Sequence, residues 1–157
     1  MKKRILITIL VLILIGISYI VLSNVFQKEY LPADDEIALH IQLKTNEDVG
    51  LIVFDYQVDE QEYSGGISNA DKSPIKSDSD NIQVWNKQDL HSNSDSVEMS
   101  IQFRIITDYV DPNFENIYPE ELTKHIDLIS WKAYFGEFYF ITITGDKNTG
   151  YKAVLKK

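Results

Sequence analysis

The chain has 157 residues, of which 44% are hydrophobic, with 24 acidic against 15 basic side chains, a formal net charge of -9 and no cysteine. Without cysteine there is no disulfide framework, thiol nucleophile, thiolate metal site or acylated lipoprotein anchor. The acidic balance excludes nucleic acid as an expected partner, because phosphate binding needs clustered Lys and Arg.

The charge is unevenly placed. Lys2, Lys3 and Arg4 form a basic tip over residues 1–4, and Ile5 to Leu22 then run for eighteen positions without a charge. At 1.5 Å rise per residue a helix of that length spans roughly 27 Å, close to the hydrocarbon thickness of a bilayer. Residues 5–23 are therefore expected to be a transmembrane helix. The basic tip before them places the N-terminus in the cytoplasm by the positive-inside rule and everything after them outside the membrane. The run exceeds the usual apolar length of a cleaved signal, which favours an uncleaved signal-anchor. Small residues before Asn24 leave a secreted form cleaved after Ser23 as the alternative. The first 23 residues hold three of the basic side chains and no acid, so the remaining 134 carry 12 basic and 24 acidic residues, a net of -12.

Residues 24–36 are polar, contain Pro32 and end in consecutive acids, as suits a stalk. From residue 37 to 157 the pattern is that of a β-rich domain. Ile37, Leu39, Ile41 and Leu43 alternate with Ala38, His40, Gln42 and Lys44, which buries one strand face and wets the other. The same alternation runs through Ile52 to Asp59 and through Val97 to Ile105. Phe138 to Thr144 is aromatic and β-branched, and a Gly145–Gly150 turn separates it from Tyr151 to Leu155. Shorter strands are expected at Gln61 to Ile67, broken by a turn at Ser64-Gly65-Gly66, and at Asn81 to Trp85. Pro119, Glu120 and Glu121 open a short helix over 119–126, with Leu122, Ile126 and Ile129 at helical spacing. The expected fold is mainly β: one transmembrane helix followed by an antiparallel β-sandwich, immunoglobulin-like in architecture.

No catalytic, cofactor or metal motif emerges. His40, His91 and His125 stand far apart in sequence, and His40 falls on a wetted strand face, where a solvated side chain is expected. Ser77 to Asn81 offers two carboxylates and an amide, but counted from Asp78 the sixth and twelfth positions of a Ca²⁺ loop hold Gln83 and Asp89, so the EF-hand pattern fails. Between Trp131 and Phe140 six of ten residues are aromatic; on a strand they would occupy both faces, one joining the core and the other needing cover. The polar loops Ser68 to Asp80 and Asp108 to Tyr118 are where binding is expected on a rigid β body. The many Ile, Lys, Asn, Asp and Tyr residues fit an AT-rich bacterial genome. Together these features predict a single-pass module of a bacterial cell envelope, held in the membrane through residues 5–23, that binds another envelope protein through its loops or its aromatic strand. A cell-wall hydrolase using Asp108 and Asp111 as paired carboxylates is the enzymatic alternative.

Overall fold

The computed structural model describes residues 30–108 and 119–156. The basic tip 1–4, the apolar segment 5–23, residues 24–29 of the stalk, and Asp111 lie outside the described residues. Among the described residues no helix is long and apolar enough to cross a membrane.

Among the described residues, nine strands lie in the unit from Leu31 onward. In chain order they are β1 (Glu36–Thr45), β2 (Leu51–Val58), β3 (Gln61–Ile67), β4 (Asp80–Asn86), β5 (Ser96–Ile106), β6 (Thr123–His125), β7 (Ile129–Tyr134), β8 (Phe138–Asp146) and β9 (Gly150–Lys156). They form a four-stranded sheet in the order β4-β1-β8-β9 and a five-stranded sheet in the order β3-β2-β5-β6, with β7 also paired to β5. The alternating apolar positions predicted for β1, β2 and β5 all face one hydrophobic cluster, shared by Ile37, Leu39 and Ile41 from one sheet and Ile52, Phe54, Met99, Ile101 and Phe103 from the other. Trp85 of β4 reaches Tyr56 of β2 at 5.1 Å between ring centroids, and Trp131 of β7 reaches Tyr139 of β8 at 6.0 Å, so aromatic rings bridge the two sheets.

Three expectations are corrected. The pairing is not antiparallel throughout, because β1 and β8 run parallel, with His40 level with Phe140 and Ile41 with Ile141. A parallel pair cannot be joined by a tight turn. Here the connection is the whole of the five-stranded sheet together with β4, which the chain builds between leaving β1 and returning at β8.

The helix expected over 119–126 is a single 3₁₀ turn, Glu120–Leu122, followed by β6. Pro119 is extended (φ -58°, ψ 138°), and Thr107 N–H donates to Leu122 O at 2.9 Å while Ile126 N–H donates to Phe103 O at 2.9 Å. Pairing with the edge of β5 thus takes the backbone groups that a helix would have used, and it buries Ile126.

Ser64-Gly65-Gly66 is not a turn but lies inside β3. Gly65 stands level with Phe54, and a Cβ there would sit 2.6 Å from Phe54 Cε2. The glycine is the space into which the Phe54 ring packs.

Candidate functional site

Inward-facing residues of the four-stranded sheet fill the shared core, so their neighbours in sequence line its outer face. Strand register arranges those neighbours in rows. Val84, Ala38 and Phe138 form one; Ile82, His40, Phe140 and Lys156 the next; Asp80, Gln42, Thr142 and Val154 a third; Lys44, Thr144 and Lys152 a fourth. The first two rows are largely apolar; Lys152 and Lys156 stand on the β9 edge, and Lys44 of β1 lies in the fourth row.

His40 sits in the middle of this face and is only 6% exposed. The expectation of a solvated histidine is therefore wrong. Its ring lies 4.7 Å from that of Phe140 and 6.4 Å, edge-on, from that of Phe138, while Phe138 and Phe140 meet edge to face at 5.5 Å. A strand face that sequence alternation marks as wet is covered here because the neighbouring strand contributes two phenylalanines at the same level. The ring Nδ1 lies 3.2 Å from both carboxylate oxygens of Asp80, whose Oδ2 also accepts from Gln42 Nε2 at 3.3 Å. The buried imidazole is thereby given a charged partner, as a polar group taken out of water requires.

Around this centre several apolar side chains stay open to solvent: Phe138 is 38% exposed, Ile82 46% and Val154 53%. Lys44, Lys152 and Lys156 are exposed as well. In a region of net charge -12 this face gathers three lysines, and of the carboxylates on its outward positions Asp80 is paired with His40, Glu36 accepts from Ala33 N–H, and Asp146 accepts from the N–H groups of Asn148 and Thr149. It is an apolar surface with a basic margin.

The outer face of the five-stranded sheet has the opposite character. A shallow concavity of about 500 Å³ there is lined by Asp55, Gln57, Glu62, Ser64, Ser100 and Gln102, with Tyr63 and Leu128 at its sides. Asp55 and Glu62 are both exposed, and Asp55 is tied to Arg104 at 3.1 Å.

The aromatic run Trp131 to Phe140 does not lie on one strand. It crosses from β7 to β8 through a turn at Gly136 (φ +82°), so Trp131 and Phe138 belong to different sheets. Tyr139 is buried, its hydroxyl donating to Glu137 Oε2 at 2.8 Å and accepting from Tyr134 N–H at 2.9 Å. Burial, together with the neighbouring Glu137, pushes that hydroxyl up to about 12.

The loop Ser68 to Asp80, one of the two where binding is expected, is fastened to the body. Val49 and Ile75 exchange backbone hydrogen bonds at 2.7 and 3.0 Å and are both buried. Asp48 accepts from Lys76 Nζ at 2.8 Å and from Ser77 N–H at 3.0 Å, and these bonds hold its carboxyl below the usual range. The second loop keeps only Asp108 among the described residues, exposed.

The three histidines stand on β1, on the β4–β5 connection and on β6, and the fold does not bring them together. Among the described residues no group of three or more His, Asp or Glu is placed to hold a metal ion. The apolar–basic face escaped the sequence reading because Ile82, Val84, Phe138 and Phe140 become neighbours only through the register of distant strands. The one signal available was the pair Phe138 and Phe140 at a spacing of two.

The chain matches no family model, no curated protein and no solved structure.

Proposed function

We propose that this protein is a single-pass module of a bacterial cell envelope. In this reading residues 5–23 hold it in the membrane as a signal-anchor with the N-terminus cytoplasmic, and the domain from residue 37 to 157, an immunoglobulin-like β-sandwich, lies outside and binds another envelope protein. The eighteen-residue uncharged run behind Lys2, Lys3 and Arg4 supports the anchor. The observation that carries the binding reading is the outer face of the four-stranded sheet, where Ile82, Phe138 and Val154 remain exposed around a buried His40. Exposed apolar clusters with a polar rim mark interaction surfaces.

The chemistry of the face describes its partner. Phe138, Phe140 and Ile82 offer rings and branched aliphatics without hydrogen-bonding groups, so the complementary surface is apolar at its centre. Lys44, Lys152 and Lys156 call for carboxylates at its margin. A polyanionic wall glycan would meet the lysines but leave the apolar centre uncovered.

The test is co-purification from washed membranes of cells expressing the tagged full chain. One partner is expected with the wild-type chain and with Gln102→Asp on the opposite sheet, and it is lost with Phe138→Asp. Equal recovery with Phe138→Asp refutes this face as the binding surface, and recovery of the chain in the medium without its first 23 residues refutes the anchor.

A further inference from the structure

The four-stranded sheet ends at β4, and among the described residues β4 pairs with β1 alone. An edge strand presents a row of backbone donors and acceptors ready to pair with another chain, and proteins blunt such edges with charge, proline, bulges or brevity. The other edges here are blunted. On β9 stand Lys152 and Lys156, β3 carries Glu62 and two glycines, and the last edge is divided between the three-residue β6 and β7 with Lys132. By contrast β4 reads Asp80-Asn81-Ile82-Gln83-Val84-Trp85-Asn86, seven residues with no proline and no charge after the first.

We infer that β4 pairs antiparallel with β4 of a second copy, with Gln83 on the two-fold axis, joining two four-stranded sheets into one. The register follows from the length of the strand, since Gln83 is its central residue. About that axis Ile82 meets Val84 of the second copy on the outer face, amide meets amide at Gln83, and Asn81 meets Trp85. The join ends at Asn86, which comes level with Asp80 but whose N–H already donates to Asp89 Oδ2 at 3.3 Å and whose O accepts from Leu90 N–H at 3.2 Å. Cross-strand pairs of this kind stabilise a sheet, whereas like charges directly opposite destabilise it. No like-charged pair arises at this join, although the region from residue 24 onward carries a net charge of -12 and would otherwise repel its own copy. The 46% exposure of Ile82 is then the uncovered half of an apolar contact. An isologous contact of this sort closes after two copies, and it sets two apolar–basic faces side by side on one continuous sheet.

The absence of cysteine makes the test direct. Residues opposed in an antiparallel pair have Cα atoms about 4.5–5.5 Å apart, within the roughly 4.4–6.8 Å that a disulfide spans. Purified full-length chain in detergent micelles, as Gln83→Cys, is expected to form a disulfide-linked dimer under mild oxidation at least about tenfold faster than Lys152→Cys on the opposite edge. In the second arm, Ile82→Lys, at an exposed position, is expected to weaken the dimer seen by sedimentation at least about tenfold through charge at the join, with thermal unfolding unchanged. Cross-linking of Gln83→Cys no faster than that of Lys152→Cys, or an Ile82→Lys chain of unchanged dimer mass, overturns the inference.

Discussion

His40 and Asp80 stand 40 residues apart in sequence and face each other across β1 and β4, the ring Nδ1 at 3.2 Å from each carboxylate oxygen. The imidazole is buried and the carboxylate side chain is 44% exposed, so the pair is anchored at one end and wet at the other. Asp80→Asn is expected to cost about 1 kcal/mol, less than a fully buried pair would, because water screens the carboxylate side. Replacing both, as His40→Leu with Asp80→Asn, is expected to cost less than the sum of the two single changes, since no buried polar group is then left unpaired. Urea unfolding of the four chains measures the coupling.

The exposed members of the apolar face are expected to matter for association far more than for folding. Ile82→Ser and Phe138→Ser each remove side chains that are already partly in water, so stability falls by less than about 1 kcal/mol. Partner affinity is expected to fall about 30-fold or more with Phe138→Ser. Calorimetric melting and a binding titration on the same preparations separate the two effects.

Gly65→Ala adds a methyl group where the Phe54 ring already lies, 2.6 Å from Cε2. Overpacking of this kind is expected to cost about 1–3 kcal/mol. Phe54→Leu in the same chain vacates the space, so the double variant is expected to be more stable than the two separate costs would give. Denaturant midpoints with an unchanged slope check this.

Stability is expected to fall at both ends of the pH scale, for different reasons. Asp48 and Asp146 have folded-state pKa values below 3.8, the first through the hydrogen bond from Lys76 and the second through the backbone N–H of Thr149. Their contribution is present above 3.8 and is lost as pH falls below it. Tyr139 is raised from 10.0 to about 12, chiefly by burial, so its contribution is complete below pH 10 and is lost as pH climbs toward 12. Tyr151 shifts in the same direction, through burial and its hydrogen bond to Glu47. Tyrosinate absorbance is expected to show a late-titrating phase that Tyr139→Phe reduces, and Asp48→Asn is expected to flatten the acid limb.

Much of the strand pattern could be read from period-two alternation, because β1, β2, β5 and β8 each bury one face against the shared core. What could not be read depended on neighbours brought in from far along the chain. The parallel pairing of β1 with β8 puts Phe138 and Phe140 beside Ala38 and His40, and only that pairing turns a wet face into a covered one. Leu122, Ile126 and Ile129 carry a helical spacing, yet the open edge of β5 captured their backbone. Gly65 reads locally as a turn, and its role is set by a phenylalanine on the adjacent strand. The two phenylalanines of the apolar face stood out as an aromatic run, but Ile82 and Val84, which complete it, had no local mark.

The measurement that tests the proposed binding face most directly is site-specific photo-cross-linking in living cells, with a photoreactive amino acid placed at Phe138 or Val154 and, for comparison, at Gln102 on the outer face of the other sheet. One adduct of defined mass is expected from Phe138 and Val154, lost when Lys152 and Lys156 are both changed to Glu, and none from Gln102. Adducts of equal yield from both sheets, or an adduct from Gln102 alone, would contradict a binding module that works through the apolar face of its four-stranded sheet.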